Sequence, residues 1–170
     1  NQKKVYTTDG KVKHLSKNED INEKLSKILG SKFIEYRKKW DLANNFELET
    51  DFPLFLHVEL NQTCNYKCPH CIVGNPDEMP GMYDESENLT FDQYKKIVDE
   101  GSDYKCPSIS PQGENEPFLN KNFEEYLLYA HRKGFIDIMT NTNGSAITKT
   151  RAKKILDSGL TRLRFSLDAF

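Results

Sequence analysis

Three of the four cysteines in this 170-residue chain fall within eight residues, as Cys64-Asn-Tyr-Lys-Cys68-Pro-His-Cys71. A short irregular loop that folds back on itself can aim three sulfurs at one point, which neither a helix nor a strand can do. Thiolates select soft metals, chiefly zinc or the iron of an iron–sulfur cluster. Structural zinc is usually held by four closed ligands, in C-x2-C pairs a dozen or more residues apart. Here the spacing is C-x3-C-x2-C with no second pair, although His70 or His57 could complete a zinc site. A cubane cluster held by three cysteines leaves one iron open to a small-molecule ligand, an arrangement better suited to catalysis than to structure. Cys106 stands apart and reads as a small buried hydrophobe at a strand entrance.

Composition narrows the partners. The 24 Lys and Arg balance 26 Asp and Glu, for a net charge of -2 with both signs interspersed, which excludes a strongly basic nucleic-acid binder. No run approaches the roughly 20 apolar residues needed to span a membrane. Asn1-Gln-Lys-Lys-Val has no apolar run behind its charges, so no secretory signal is read there. A cysteine cluster in such a chain points to metal or redox chemistry in a reducing compartment, and hence to a cytoplasmic location. The length allows one domain with one core.

The elements that must position the cysteines follow from periodicity. Residues 1–50 read as a helical prefix. Ser16-Lys-Asn-Glu19 fits a capping box ahead of Ile21, Leu25, Ile28 and Leu29. Gly30 reads as a stop and Ser31 as a fresh N-cap, before a helix with Phe33, Tyr36, Trp40 and Ala43 on one side. From Asp51 strands and helices alternate. Strands are expected at Leu54–Leu60, Ser108–Ser110, Phe135–Thr140 and Arg162–Leu167. The intervening helices are capped by Thr90, Asn122 and Thr148 and ended by Gly101, Gly134 and Gly159. The last three strand starts, 108, 135 and 162, are 27 residues apart, the length of one strand–helix unit, which implies parallel strands. In such sheets chemistry gathers at the carboxyl ends of the strands. Polar segments stand at all four of those ends: Asn61 to Cys71, Gln112 to Pro117, Asn141 to Ser145 and Ser166 to Asp168.

Those four segments resemble, in order, the motifs of the radical S-adenosylmethionine (SAM) superfamily. Its hallmark is a C-x3-C-x2-C loop after the first barrel strand; its usual aromatic residue before the last cysteine is His70 here. Gly113-Glu-Asn-Glu-Pro117 resembles its glycine-glutamate-proline motif, with Asn115 where glycine is common. Thr140-Asn-Thr-Asn-Gly144 resembles its Thr-Asn-Gly motif, and Ser166-Leu-Asp168 its Ser-x-Asp motif. The resemblance implies that Cys64, Cys68 and Cys71 ligate a [4Fe-4S] cluster. It implies that Gly113, Asn115, Glu116, Asn143, Ser166 and Asp168 bind SAM, with Asn115 and Glu116 against its aminoacyl end. The implied fold is α/β: part of a TIM-like (β/α)6 radical SAM barrel, with about four parallel strands in 51–170 after the helical prefix. The implied activity is reductive cleavage of SAM to a 5'-deoxyadenosyl radical that abstracts hydrogen from a substrate, with a flavodoxin- or ferredoxin-like electron donor.

Bland readings stand beside these. A structural zinc site or interaction module is the alternative for the triad, and a degenerate member that binds SAM without cleaving it is a third reading. Gly113 and Gly144 could be ordinary turn glycines, Ser166 a small barrel-filling residue and Asp168 a loop anchor. His57 and Glu59 alternate on one strand face and either point towards the cluster or are satisfied by neighbours. Asp77 to Glu87 reads as a solvated acidic loop. The prefix leading into Asp51-Phe-Pro and the Glu-Asn-Glu-Pro variant are similar to members carrying a C-terminal auxiliary-cluster extension of the SPASM or twitch type. That likeness leans towards a sugar-like or natural-product substrate, or a peptide. Because the family barrel has six units, the chain is expected to be a part that stops after the fourth strand, with an open edge there.

Overall fold

In the computed structural model, residues 20–73, 77 and 88–167 are described. The chain divides into two compact units, with the break between Leu48 and Glu49.

In the first unit, α1 (Ile21–Leu29) begins after Asp20, whose carboxylate accepts the Asn22 N–H at 2.6 Å. The capping box read at Ser16 to Glu19 lies outside the described residues. Gly30, at φ 73°, ends α1 and also serves as the N-cap of α2 (Ser31–Asn44). Ser31 is therefore the first helical residue and not the cap: one glycine in the left-handed region turns the chain between both helices and leaves no room for a second cap. Phe33 and Tyr36 are the buried residues of α2. Their rings meet edge to face at 5.8 Å, and Trp40 continues the stack at 6.1 Å.

The second unit is a four-stranded parallel sheet in the order β1 (Phe55–His57), β2 (Ser108–Ser110), β3 (Asp137–Thr142) and β4 (Arg162–Phe165). The helices α3 (Phe91–Asp103), α4 (Phe123–Arg132) and α5 (Lys149–Leu156) connect the strands, and a short 3-10 turn covers Pro117–Leu119. Register is tight: Phe55 pairs with Ser108, Ile109 with Ile138, and Thr140 with Leu163. The caps at Thr90 and Thr148 form as read. Thr90 closes a complete capping box with Gln93, and Thr148 accepts from the Arg151 N–H. Asn122 occupies the N-cap of α4 without a side-chain bond.

The core lies between the sheet and its helices. Tyr94 and Val98 of α3, Phe123, Leu127 and Ala130 of α4, and Ile109 and Ile138 of the sheet are fully enclosed. Burying each large side chain contributes about 1.5–3 kcal/mol. Gly101 does not end α3. The helix runs on to Asp103, and a Cβ at 101 would stand 2.9 Å from both Leu56 Cδ1 and Phe135 Cζ. The glycine is there for close packing of helix on sheet. β1 is shorter than read, although Val58 and Leu60 remain buried beyond it. β3 begins at Asp137 because Phe135 and Ile136 are spent on the turn out of α4, donating to Ala130 and Pro107 carbonyls.

At the amino-terminal end of the sheet, the fully buried Asp137 is held by Arg162 through two bonds, Nε to Oδ1 at 3.0 Å and Nη2 to Oδ2 at 2.9 Å. Thr161 Oγ1 donates to Oδ1 at 2.7 Å. Cys106 is buried at the same end, its thiol donating to the Ser108 carbonyl, and burial pushes its pKa up.

Candidate metal and cofactor site

A parallel sheet sends every strand out at the same edge, so the segments after β1, β2 and β3 are neighbours by topology. Asn61, on the way into the cysteine loop, is only 9% exposed and acts as the first tie. Its Oδ1 accepts from Thr63 N at 3.2 Å, from Thr63 Oγ1 at 3.0 Å and from Asn115 Nδ2 at 3.1 Å. The Glu116 N–H donates to the Thr63 carbonyl at 2.9 Å, a second bond between the same two loops.

Glu116 is the hinge of the site. Its carboxylate is 1% exposed and turned towards protein donors: Oε1 accepts from Thr142 Oγ1 at 2.7 Å and Phe118 N at 3.1 Å, and Oε2 from Asn143 N at 2.6 Å. Such charge-assisted bonds are the strong ones, and they fix the end of β3 to the end of β2. Gly113 is needed for a close approach. A Cβ there would lie 2.5 Å from Glu59 Oε1, while Glu114 N donates to that oxygen at 2.6 Å. Glu59 is thus turned onto the β2 loop, and the Gly113 N–H donates to Asn115 Oδ1 at 3.2 Å.

From the β3 end, Asn143 reaches the cysteine loop. Its Nδ2 donates to Asn65 Oδ1 at 3.0 Å and stands 3.9 Å from Cys64 Sγ, within the longer reach of a sulfur acceptor. Asn65 Nδ2 in turn donates to Ser145 Oγ at 2.9 Å. Cys64 Sγ also receives the Tyr66 N–H at 3.5 Å, and Cys71 N closes a turn onto the Cys68 carbonyl at 3.0 Å. Ser166, past β4, is exposed and joined to this group through its backbone N–H to the Thr142 carbonyl at 2.8 Å. Asp168 lies outside the described residues, as does most of the acidic loop. His57 and His70 are exposed.

The structure therefore gathers Cys64, Gly113, Asn115, Glu116 and Asn143 into one hydrogen-bonded junction. Asn61, Asn65 and Thr142 complete it without having been singled out from sequence, because a lone amide or hydroxyl at a strand end carries no spacing signal. Cys64, Cys68 and Cys71 all stand half-buried on one loop. Among the described residues, no group of three or more His, Cys, Asp or Glu side chains is arranged to hold a metal ion. The donor set nonetheless fits a [4Fe-4S] cluster with one iron left free: three soft ligands on one irregular loop, with N–H groups already aimed at a sulfur.

Comparison with known proteins bears on the family and the fold. The profile of the radical SAM superfamily matches residues 58–170. GTP 3',8-cyclase of Helicobacter pylori is 29% identical over 130 residues, covering 75% of this chain and 38% of the cyclase. Fe-coproporphyrin III synthase of Methanosarcina barkeri is 33% identical over 110 residues, covering 64% of this chain and 26% of the synthase. The crystal structure of BtrN in complex with AdoMet and 2-DOIA shares the fold, with a TM-score of 0.57 at 20% identity over 68% of this chain and 46% of BtrN. The chain thus spans less than half the length of these proteins. Superfamily members are enzymes that use a [4Fe-4S] cluster and SAM. With its profile matched from Val58, just past β1, through all of the cysteine loop and the other three strands, the chain belongs to the radical SAM superfamily.

Proposed function

We propose that this chain is the cluster- and SAM-binding portion of an enzyme that cleaves SAM reductively. Cys64, Cys68 and Cys71 hold the cluster, and Gly113, Asn115, Glu116, Asn143, Ser166 and Asp168 serve SAM. The observation that carries the reading is the junction itself, where the ends of β1, β2 and β3 are tied together beside the loop that carries three half-buried cysteines. When bound, the cluster supplies the electron that splits SAM into methionine and a 5'-deoxyadenosyl radical, which takes hydrogen from the substrate.

The protein's part is orientation. Glu116 spends its carboxylate on Thr142, Phe118 and Asn143 and holds two loops in fixed register. Asn115 ties the β2 loop to Asn61, and Glu59 pins the backbone at Glu114. A rim fixed in this way meets its ligands with little reorganisation, the condition for precise placement of reacting atoms.

The electron donor in this reading is a flavodoxin- or ferredoxin-like protein, and the compartment is the reducing cytoplasm. No described helix is long and apolar enough to cross a membrane. The substrate is proposed to be a small molecule of the sugar or natural-product kind, in preference to a peptide. The similar proteins named above support this, one being named for GTP, another for a coproporphyrin, and BtrN having been crystallised with 2-DOIA.

The test is anaerobic reconstitution of the full-length protein with iron and sulfide, followed by SAM and dithionite. Four irons with four acid-labile sulfides and release of 5'-deoxyadenosine are expected, and Cys68→Ala should lose both. One zinc without sulfide would favour the interaction-module reading, and SAM binding without deoxyadenosine a non-cleaving member.

A further inference from the structure

We infer that Asn143 is a positioning residue for the cluster: its side-chain amide donates a hydrogen bond to Cys64 Sγ, holding that thiolate in place and raising the cluster's reduction potential. The inference rests on the cluster-binding reading proposed above and adds a role for the β3 loop that differs from contact with SAM.

The orientation of the amide is settled by its neighbours. Asn143 Oδ1 accepts the Ser145 N–H at 2.9 Å, and only an oxygen can occupy that place. Nδ2 must then face the cysteine loop, where it donates to Asn65 Oδ1 at 3.0 Å and meets Cys64 Sγ at 3.9 Å. An amide carries two N–H groups, so one serves Asn65 and the other remains for sulfur. The base of the side chain is fixed as well, because the Asn143 backbone N–H is held by Glu116 Oε2 at 2.6 Å. The Tyr66 N–H at 3.5 Å gives the same sulfur a second donor, from its own loop.

The consequence for the cluster follows from charge. An N–H dipole aimed at a ligating sulfur stabilises negative charge on it, and the reduced cluster carries one more electron than the oxidised. Hydrogen bonds to the sulfurs therefore raise the potential, and hydrogen bonding is among the main settings of potential in such clusters. Asn143 would ease electron entry while its backbone keeps β3 tied to β2. The side chain can be changed without breaking that tie, since Glu116 is bonded to the main chain. The Ser145 N–H that loses its acceptor is on an exposed residue, where water replaces it.

The experiment is an anaerobic redox titration of the reconstituted full-length protein, followed by electron paramagnetic resonance of the reduced cluster. Asn143→Leu removes the donor at similar size, and Asn143→Asp replaces it with a charge that opposes the extra electron. At a fixed ambient potential, the reduced-to-oxidised ratio is expected to fall roughly tenfold in the Leu variant, about 59 mV for a one-electron couple, and further in the Asp variant. Ser145→Ala, which removes Asn65's partner but leaves the Asn143 amide facing sulfur, should leave the ratio unchanged. Unchanged potentials in both Asn143 variants would overturn the inference. So would loss of the cluster from both with secondary structure intact, which would make the residue a structural clasp alone. If the unaltered protein assembled no [4Fe-4S] cluster, the cluster-binding reading itself would fall.

Discussion

At the amino-terminal end of the sheet, a buried carboxylate meets a full positive charge: Asp137 is clasped by Arg162 and Thr161. At the carboxyl-terminal end, the bonds that the buried carboxylate of Glu116 makes among the described residues come from two backbone N–H groups and the Thr142 hydroxyl, with no cation among them. Around it stand Asn61, Asn65, Asn115 and Asn143, all neutral. The cysteines divide in the same way. Cys106, at the first end, is buried with its thiol held protonated, whereas the three at the second end are half-buried on a loop. One end is closed on itself; the other keeps its donors on loops that only neighbouring loops restrain. Neutral amides suit the second end, since a permanent cation there would add its own field to any charge change at the thiolates.

The sharpest way to break this contrast is Asp137→Ala. Removing one partner of a buried pair takes the enclosed carboxylate away from Arg162, whose side chain is 19% exposed, at a cost of about 3–5 kcal/mol. Much of a typical domain's stability would go. The urea midpoint should fall accordingly, and the protein that remains folded should take up iron and sulfide like the unaltered one. A selective loss of cluster with an unchanged midpoint would mean that the two ends are not separate in function.

Next in size is Glu116→Ala, which strands the buried Thr142 hydroxyl and the Phe118 N–H and frees the Asn143 backbone. Stability should fall by about 2 kcal/mol. Here the larger consequence is positional: SAM affinity of the reconstituted full-length protein should drop at least about tenfold, or roughly 1.4 kcal/mol. Glu116→Gln keeps an acceptor and should recover part of both. A stability loss with unchanged SAM affinity would move Glu116 into the same class as Asp137.

The same contrast explains what could be read without coordinates. The cysteine spacing, the Thr90 and Thr148 caps and β2 at Ser108–Ser110 are local signals, and they appear where expected. Gly101 was misread as a stop because its reason is tertiary: Leu56 and Phe135, far away in sequence, occupy the space a side chain would need. The apolar run at Phe135 begins before the ladder because buried turn residues and strand residues are equally apolar. The asparagine network was hidden for a related reason. Asn65 and Asn143 meet although they are 78 positions apart in sequence, and nothing local distinguishes a bonded amide from a solvated one.

A smaller effect is expected from pH. Burial raises the Cys106 thiol pKa, so the folded state favours the neutral form. An unfolded cysteine ionises near about 8.5. The stability due to this group is therefore whole below that pH and declines as pH rises above it, by at most about 1.4 kcal/mol per pH unit. In the native metal-free protein, iodoacetamide at neutral pH should add three adducts, at Cys64, Cys68 and Cys71, and spare Cys106. Rapid labelling of Cys106 would remove one of the differences between the two ends.

The smallest effect tests the closed end where it is imperfect. Ser108 is fully buried at the start of β2, and among the described residues its hydroxyl is a buried polar atom without a hydrogen-bond partner. An unsatisfied buried hydroxyl costs about 1–3 kcal/mol, and removing it leaves only a small void. Ser108→Ala should therefore leave the protein as stable or about 1 kcal/mol more so, seen as a higher urea midpoint at unchanged slope. Cluster content and deoxyadenosine release should not move, because Ser108 pairs with Phe55 and Asp137 at the end of the sheet away from the cysteine loop. If Ser108→Ala lowers stability, its hydroxyl has a partner in solution, and the amino-terminal end is more polar in its packing than the Asp137 clasp alone implies.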